Sequence, residues 1–152
     1  MYKRQGDARD IHPRNKREVG RRLAGWALQD HYGRENDSYA SPRVVACSRV
    51  DLPDGVNTSV PTRAIRLEVE HAMDGLKTRD GQAPDGFAVQ GPSGRWHWAD
   101  AMVVDGGDAV VVWSETVPDP VAVAYAWQNN PERANLVGGS GLPMDQYRGR
   151  CD

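Results

Sequence analysis

The sequence has only two cysteines, Cys47 and Cys151, in 152 residues. Two are too few for a network of disulfides or a cysteine-based metal cluster, and we expect Cys151, beside the chain end, to be exposed. No Cys/His spacing of a zinc site is present, so no metal or cofactor is predicted. The chain also lacks an apolar run of about 18 residues, which predicts no membrane-spanning helix. The basic N-terminus lacks the apolar segment of a signal peptide, so any such signal is expected before residue 1.

Charge is unevenly distributed along the chain. Residues 1–22 hold eight basic and three acidic residues, whereas residues 23–152 hold eleven basic and eighteen acidic residues. A basic N-terminal segment is one signature of nucleic-acid binding. A solvated helix face beside a loop is the favoured interpretation, because the rest of the chain is acidic. We therefore predict no nucleic-acid partner and no membrane partner.

The first part of the chain contains one helix signal. Pro13 suits the first turn of a helix and Gly33 suits its end, which predicts a helix from about Pro13 to Tyr32. Its apolar positions follow three- and four-residue steps, which predicts one buried stripe: Val19, Leu23, Trp26 and Ala27. Residues 33–38 are then linker-like.

From residue 41 onward the pattern is β. Within 63–70, Ile65, Leu67 and Val69 alternate with charged residues, as in a half-buried strand. Asp105–Asp108 predicts a hairpin turn that pairs residues near Val103 with residues near Val110. The strand candidates are 43–50, 63–70, 86–90, 96–104, 109–114 and 121–127. Short strands separated by Gly/Pro turns predict an antiparallel β-sandwich.

One stretch carries residues for acid–base chemistry. His12 precedes a helix, and Asp10 and Asp7 lie two and five residues before it. An imidazole can take a proton from a nucleophile while a carboxylate on its other nitrogen fixes its tautomer. By itself this spacing is more typical of a surface loop or a helix cap than of a catalytic site.

Two blocks of sequence resemble one known family. Asp10 to Ala24 resembles the block around the catalytic histidine of sialate O-acetylesterases, SGNH-type hydrolases that remove acetyl groups from sugars. A second set of segments resembles the family's C-terminal β-region and occurs in the family's order and spacing. These segments are Gly86–Val89, Trp98–Ala101, Pro120–Val123, Tyr125–Trp127, Asn130–Glu132, Asn135–Leu136 and Gly141–Pro143. Together the two blocks cover nearly the whole chain.

The resemblance implies a mixed α/β fragment in two parts. Residues 1–33 would be the catalytic-histidine loop and last helix of an SGNH (flavodoxin-like) hydrolase domain, and residues 41–148 an antiparallel β-sandwich. The fragment would pack on the missing N-terminal hydrolase domain of its parent. The family is often secreted or periplasmic, and its substrate is an O-acetylated carbohydrate such as sialic acid.

The resemblance also implies His12 as the general base. SGNH hydrolases commonly place its carboxylate partner three residues earlier, where this sequence has Arg9. Asp10 is the preferred orienting residue, Asp7 is its rival, and a dyad that uses a backbone carbonyl is a third arrangement. The family's Gly-Asp-Ser nucleophile block is missing, and Ser38, Ser41 and Ser48 have linker or strand context. The chain alone is therefore predicted to be an inactive part of a Ser-His-Asp esterase.

The tryptophans support an alternative function. Trp96 and Trp98 share one strand face, and Trp113 and Trp127 lie on neighbouring predicted strands. Exposed rings would stack on sugars in a non-catalytic carbohydrate-binding β-sandwich module. Because aromatic rings bury much apolar surface, we expect at least two of these four tryptophans in the core.

Overall fold

Short antiparallel strands make up most of the ordered structure. A computed structural model describes residues 16–33 and 40–152. In chain order the elements are α1 Lys16–Asp30, β1 Arg43–Asp51, β2 Arg63–Glu70, β3 Lys77–Thr78, β4 Phe87–Gln90, β5 Trp96–Trp98, β6 Asp100–Val104, β7 Ala109–Trp113, β8 Ala122–Tyr125, β9 Leu136–Val137 and β10 Tyr147–Arg150. No helix in these ranges is long and apolar enough to cross a bilayer.

Two four-stranded sheets enclose one hydrophobic core. The first sheet has the order β1-β2-β7-β6 and the second has the order β10-β8-β4-β5. Every second residue of the inner strands points inward, so branched and aromatic side chains from both sheets meet. The core residues include Ile65, Leu67, Val110 and Val112 of the first sheet and Phe87, Val89, Val123 and Tyr125 of the second. A small third sheet pairs β3 with β9.

The predicted hairpin is confirmed. Val103 pairs with Val110, and a 3₁₀ turn at Asp105–Gly107 joins β6 to β7. Gly107 has a φ of 109°, and a Cβ placed there would lie 2.4 Å from the Cα of Gly75. Only glycine fits both the backbone conformation and this close approach of two chain segments.

The predicted fold class, a mixed α/β fragment that includes part of an SGNH (flavodoxin-like) hydrolase domain, is wrong. The described residues contain antiparallel sheets and one helix, without the helix pattern of an SGNH α/β core. Parallel strands need long crossover connections, usually helical, and none of the strand pairs among the described residues is parallel.

A helix is present at Lys16–Asp30, as the 13–32 pattern predicts, and residues 13–15 lie outside the described residues. The apolar stripe is not covered by the β-region: Leu23 is 56% and Trp26 40% exposed, Ala27 is exposed and Val19 is partly buried, as expected if the stripe packs on a domain outside this chain.

The predicted strand 96–104 is two strands in different sheets. Trp96–Trp98 pairs with β4 of the second sheet, whereas Asp100–Val104 pairs with β7 of the first. The N–H of Ala99 still donates to the carbonyl of Phe87 at 3.2 Å, so the chain leaves the second sheet just after this residue. Crossing from one sheet to the other at a corner keeps Ala101 buried and leaves Trp98 outside.

The expectation for Cys151 is also wrong. Cys151 is 6% exposed and forms a disulfide with Cys47. Its N–H donates to the carbonyl of Val121 at 3.1 Å. The disulfide joins β1 of the first sheet to the residue that follows β10 of the second, across 104 positions of sequence. It therefore links the two sheets at the end of the chain.

Candidate functional site: an aromatic groove

The residues predicted for acid–base chemistry are not among the described residues. His12, Asp10 and Asp7 lie outside the described residues, as does Ser38. Ser48 lies within β1, and Ser41 precedes that strand. Within residues 16–33 and 40–152, no group of three or more His, Cys, Asp or Glu side chains could hold a metal ion. The candidate site is therefore a surface that sequence reasoning raised only as an alternative.

Strand register builds this surface on the outer face of the second sheet. Ala88 of β4 pairs with Trp98 of β5 on one side and with Ala124 of β8 on the other. Ala124 in turn pairs with Arg148 of β10. Directly paired residues point to the same face, so two small side chains lie between a tryptophan and an arginine. The alanines form the floor of a groove, and the large side chains form its walls.

Trp127 completes the groove because the backbone departs from strand geometry before it. Alternation after Tyr125, which points into the core, predicts Ala126 outside and Trp127 inside. The structure shows the reverse: Ala126 is 1% exposed and Trp127 is 51% exposed. Ala126 has a φ of 52°, in the left-handed region that costs a non-glycine residue on the order of 1 kcal/mol. This conformation turns Trp127 onto the groove face, and the N–H of Ala126 is held by the carbonyl of Gly86 at 3.0 Å.

Two arginines contact the tryptophan rings. The Cζ of Arg148 lies 5.1 Å from the ring centroid of Trp96 and 6.0 Å from that of Trp127. The Cζ of Arg133 lies 4.4 Å from the ring centroid of Trp98, and its Nε is 2.9 Å from a carboxylate oxygen of Asp85. These are cation–π distances. Arg133 is thus held by an acidic side chain, whereas Arg148 extends between two rings.

The aromatic groove, as we call it below, has two adjoining parts. The first encloses about 170 Å³ and is lined by Gly86, Ala88, Trp96, Trp98, Ala124, Trp127, Gln128 and Arg148. The second encloses about 370 Å³ and shares Trp96, Trp127 and Arg148 with the first, adding Gln90, Ala122, Gly149 and Arg150. The larger volume is within the range of about 300–1,000 Å³ for small-molecule sites. Its lining residues include two cations and no acidic side chain.

The groove chemistry suits binding, and no catalytic pair is evident in it. Trp98 is 51% exposed, so a flat apolar ring is accessible to a ligand. Gln128 and Gln90 supply neutral hydrogen-bonding groups along the edge.

Tyr125, beneath the groove, is a buried phenol. Burial raises the pKa of Tyr125 to about 12, against the lowering effect of the hydrogen bond from the N–H of Leu136. That phenol lies beneath the sheet, in the core, and does not supply a proton donor to the groove.

The expectation that at least two of the four tryptophans lie in the core is wrong. Trp98 and Trp127 are exposed, and Trp96 and Trp113 are only partly buried. The sequence did contain a signal for these exposed tryptophans. Alanines occupy the outward-facing positions of the neighbouring strands, at Ala88 in β4 and at Ala122 and Ala124 in β8. A strand face of small residues beside a strand of tryptophans leaves an open surface, because the alanines do not fill the space between the rings.

Comparison with known proteins finds similarity between this chain and a solved enzyme structure. No protein-family model matches the sequence. No curated protein matches it either. Among solved structures, the chain is similar to the crystal structure of a carbohydrate acetylesterase from Xanthomonas citri, with 38% sequence identity and a TM-score of 0.76. The match covers 92% of this chain but 29% of that protein, so the chain spans under a third of its relative's length. The fold and sequence therefore relate this chain to part of a carbohydrate esterase.

Proposed function

We propose that the chain is part of a carbohydrate O-acetylesterase, an enzyme that hydrolyses acetyl esters on sugars. The observation that carries the proposal is 38% identity with a carbohydrate acetylesterase across 92% of this chain. The sialate O-acetylesterase resemblance of Asp10–Ala24 supports a narrower substrate, an O-acetylated sialic acid or a related sugar. Residues 1–33 and 41–148 are the proposed division between the catalytic-histidine segment and the β-region.

The proposed reaction is acyl transfer to water. A serine outside this chain attacks the acetyl carbonyl while the imidazole of His12 accepts its proton. The protonated His12 then donates that proton to the leaving sugar oxygen, and water repeats the attack on the acetyl-enzyme. Asp10, or Asp7 in its place, orients the imidazole. Since the related protein is more than three times as long as its matched part, it has ample additional sequence to hold a nucleophile.

Helix α1 supports packing against further protein. Leu23 and Trp26 lie on successive turns of one face of this 15-residue helix, and both are exposed apolar side chains. Soluble proteins seldom leave a contiguous apolar helix face in water. We propose that an N-terminal hydrolase domain of the parent protein covers this face. In this arrangement the β-region is carried beside the catalytic segment, and the aromatic groove offers the sugar an additional contact surface.

A non-catalytic carbohydrate-binding module is the second candidate. The exposed Trp98 and Trp127 favour it, because aromatic rings stack on the apolar CH faces of sugars. The two candidates differ in whether acetate is released by any protein that contains this chain. They agree that the groove binds sugar.

Acetate release from an O-acetylated sialoside tests the esterase proposal. The 152-residue chain should show no saturable turnover, and a longer protein that includes the sequence before residue 1 should show it. In that longer protein His12→Ala should lower kcat by about 10³-fold or more, while His97→Ala on β5 serves as the matched control and should leave kcat unchanged. Asp10→Asn and Asp7→Asn separate the two orienting candidates.

Three results would contradict this proposal. Saturable turnover by the 152-residue chain, blocked by a fluorophosphonate, would place the nucleophile within it. Near-unchanged kcat in His12→Ala would remove the catalytic role of that residue. Sugar binding by a longer protein that never releases acetate would favour the non-catalytic module.

A further inference from the structure

We propose that the aromatic groove takes an acidic saccharide, with the guanidinium of Arg148 binding its carboxylate. This inference rests on the proposed sugar-binding role of the groove and adds the residue that would contact a carboxylate of the sugar. The residues that carry it are Arg148, its flanking rings Trp96 and Trp127, and the neighbouring Arg150.

Arg148, like Arg150 on the same strand, has no carboxylate within ion-pair distance among the described residues, unlike several other arginines of the β-region. Salt bridges join Arg43 to Glu70, Arg49 to Asp119, Arg66 to Asp105 and Arg133 to Asp85. Among residues 16–33 and 40–152, Arg148 forms no ion pair; its contacts are with the rings of Trp96 and Trp127. Its side chain is exposed. The hydrogen-bonding fork of this guanidinium is therefore available to an anion from solution.

The flanking rings prepare Arg148 for this role. A free arginine side chain loses rotamer entropy when it is fixed. The rings at 5.1 and 6.0 Å restrict the guanidinium before any ligand arrives, so less of that entropy is lost on binding. A planar guanidinium held in this way matches the two oxygens of a carboxylate. Trp96 and Trp127 then present the remainder of their surfaces to the sugar ring that carries the carboxylate.

The charge around the groove agrees with an acidic ligand. The charged residues that line it, Arg148 and Arg150, are both cations. The chain as a whole has a formal net charge of −2, so this local positive charge is a property of one face. Tryptophans with arginine also bind single-stranded nucleic acid, but such binding draws on broad positive charge along the backbone path. Residues 23–152 hold more acids than bases, which favours the saccharide.

Calorimetric titration of the 152-residue chain with sialyllactose and with its methyl ester tests the proposal. The two ligands have nearly the same shape and differ in the charged carboxylate. The free acid should bind about ten-fold more tightly, since a hydrogen-bonded charge pair contributes on the order of 1.5 kcal/mol. In Arg148→Gln this preference should fall to about one while the ester binds as before. Arg43→Gln, on the first sheet, is the matched control and should retain the preference.

Each alternative outcome is decisive. Equal binding of acid and ester by the unmodified chain would refute the carboxylate contact but keep the groove as a sugar site. Binding of neither ligand would refute both this inference and the groove's proposed sugar contact, although it would leave the esterase assignment to the acetate assay. Tighter binding of single-stranded oligothymidylate than of sialyllactose would assign the groove to nucleic acid. Because the acid–ester comparison uses the unmodified chain, it holds even if Arg148→Gln does not fold.

Discussion

The Cys47–Cys151 disulfide should contribute a large part of the stability of the β-region. It closes a loop across 104 positions of sequence, which is nearly all of the described β structure. In the chain-entropy model, closing a loop of about 100 residues lowers the entropy of the unfolded state, which raises the free energy of unfolding by about 4.7 kcal/mol at 25 °C. Native contacts besides the disulfide also hold the chain end, since the N–H of Arg49 donates to the carbonyl of Asp152 at 3.0 Å and that of Cys151 donates to the carbonyl of Val121 at 3.1 Å. Reduction should therefore act mainly by freeing the unfolded chain.

Urea unfolding measures this contribution without changing the sequence. The oxidised chain and the same chain in excess dithiothreitol should differ by about 4–5 kcal/mol in the free energy of unfolding. With a urea slope of about 2 kcal/mol/M, the midpoint should fall by about 2 M on reduction. The double variant Cys47→Ala/Cys151→Ala should unfold near the reduced midpoint and should not respond to dithiothreitol. An oxidised chain whose midpoint shifts by less than about 0.3 M on full reduction would refute the reasoning.

Other predictions concern a buried phenol and two glycines. Burial raises the pKa of Tyr125 to about 12, so the folded phenol stays protonated while an unfolded tyrosine ionises near pH 10. Stability should therefore be complete below pH 10 and fall by roughly 2–3 kcal/mol as pH rises to 12, and urea midpoints of Tyr125→Phe should fall less over this interval. A Cβ on Gly139 would lie 2.0 Å from the carbonyl oxygen of Met73, so Gly139→Ala should destabilise the protein by more than about 2 kcal/mol. Gly20 meets no atom within 4 Å, so Gly20→Ala, which favours the helix, should be neutral or stabilise it by up to about 1 kcal/mol in the same urea assay. A flat stability profile above pH 10, or equal midpoints for the two alanine variants, would contradict these assignments.

Local sequence patterns were sufficient for much of the β structure. The strand Arg63–Glu70 agrees with its sequence alternation, and the turn at Asp105–Asp108 pairs Val103 with Val110. Both depend on side-chain period and turn chemistry within a few residues. The helix at Lys16–Asp30 is likewise a local feature.

Features that depend on distant contacts were not predicted. Cys47 and Cys151 are far apart in sequence, and their pairing requires that β1 and the chain end come together in three dimensions. The change of sheet after Ala99 is likewise decided by which neighbours β5 and β6 find. The exposure of Trp127 depends on the positive φ of Ala126, a conformation that alanine rarely adopts and that no propensity indicates.

The family resemblance correctly indicated a relationship to carbohydrate esterases, but the α/β fold class that it implied is wrong. The solved carbohydrate acetylesterase agrees with the coarse assignment to carbohydrate ester hydrolysis. The α/β part was inferred from residues 1–33, and in the described portion, residues 16–33, the structure has one helix and no strand. The β-region, by contrast, contains enough strands to close its own core.

The aromatic groove is tested most directly by the indole N–H resonances of the five tryptophans in a titration with sialyllactose. Trp96, Trp98 and Trp127 line the groove, whereas Trp113 ends β7 in the first sheet and Trp26 lies in α1. We expect saturable shifts of the three groove resonances and unchanged positions for the other two. Shifts of Trp26 or Trp113 without the groove resonances, or no shift of any indole at millimolar ligand, would contradict the assignment of the groove as a sugar site.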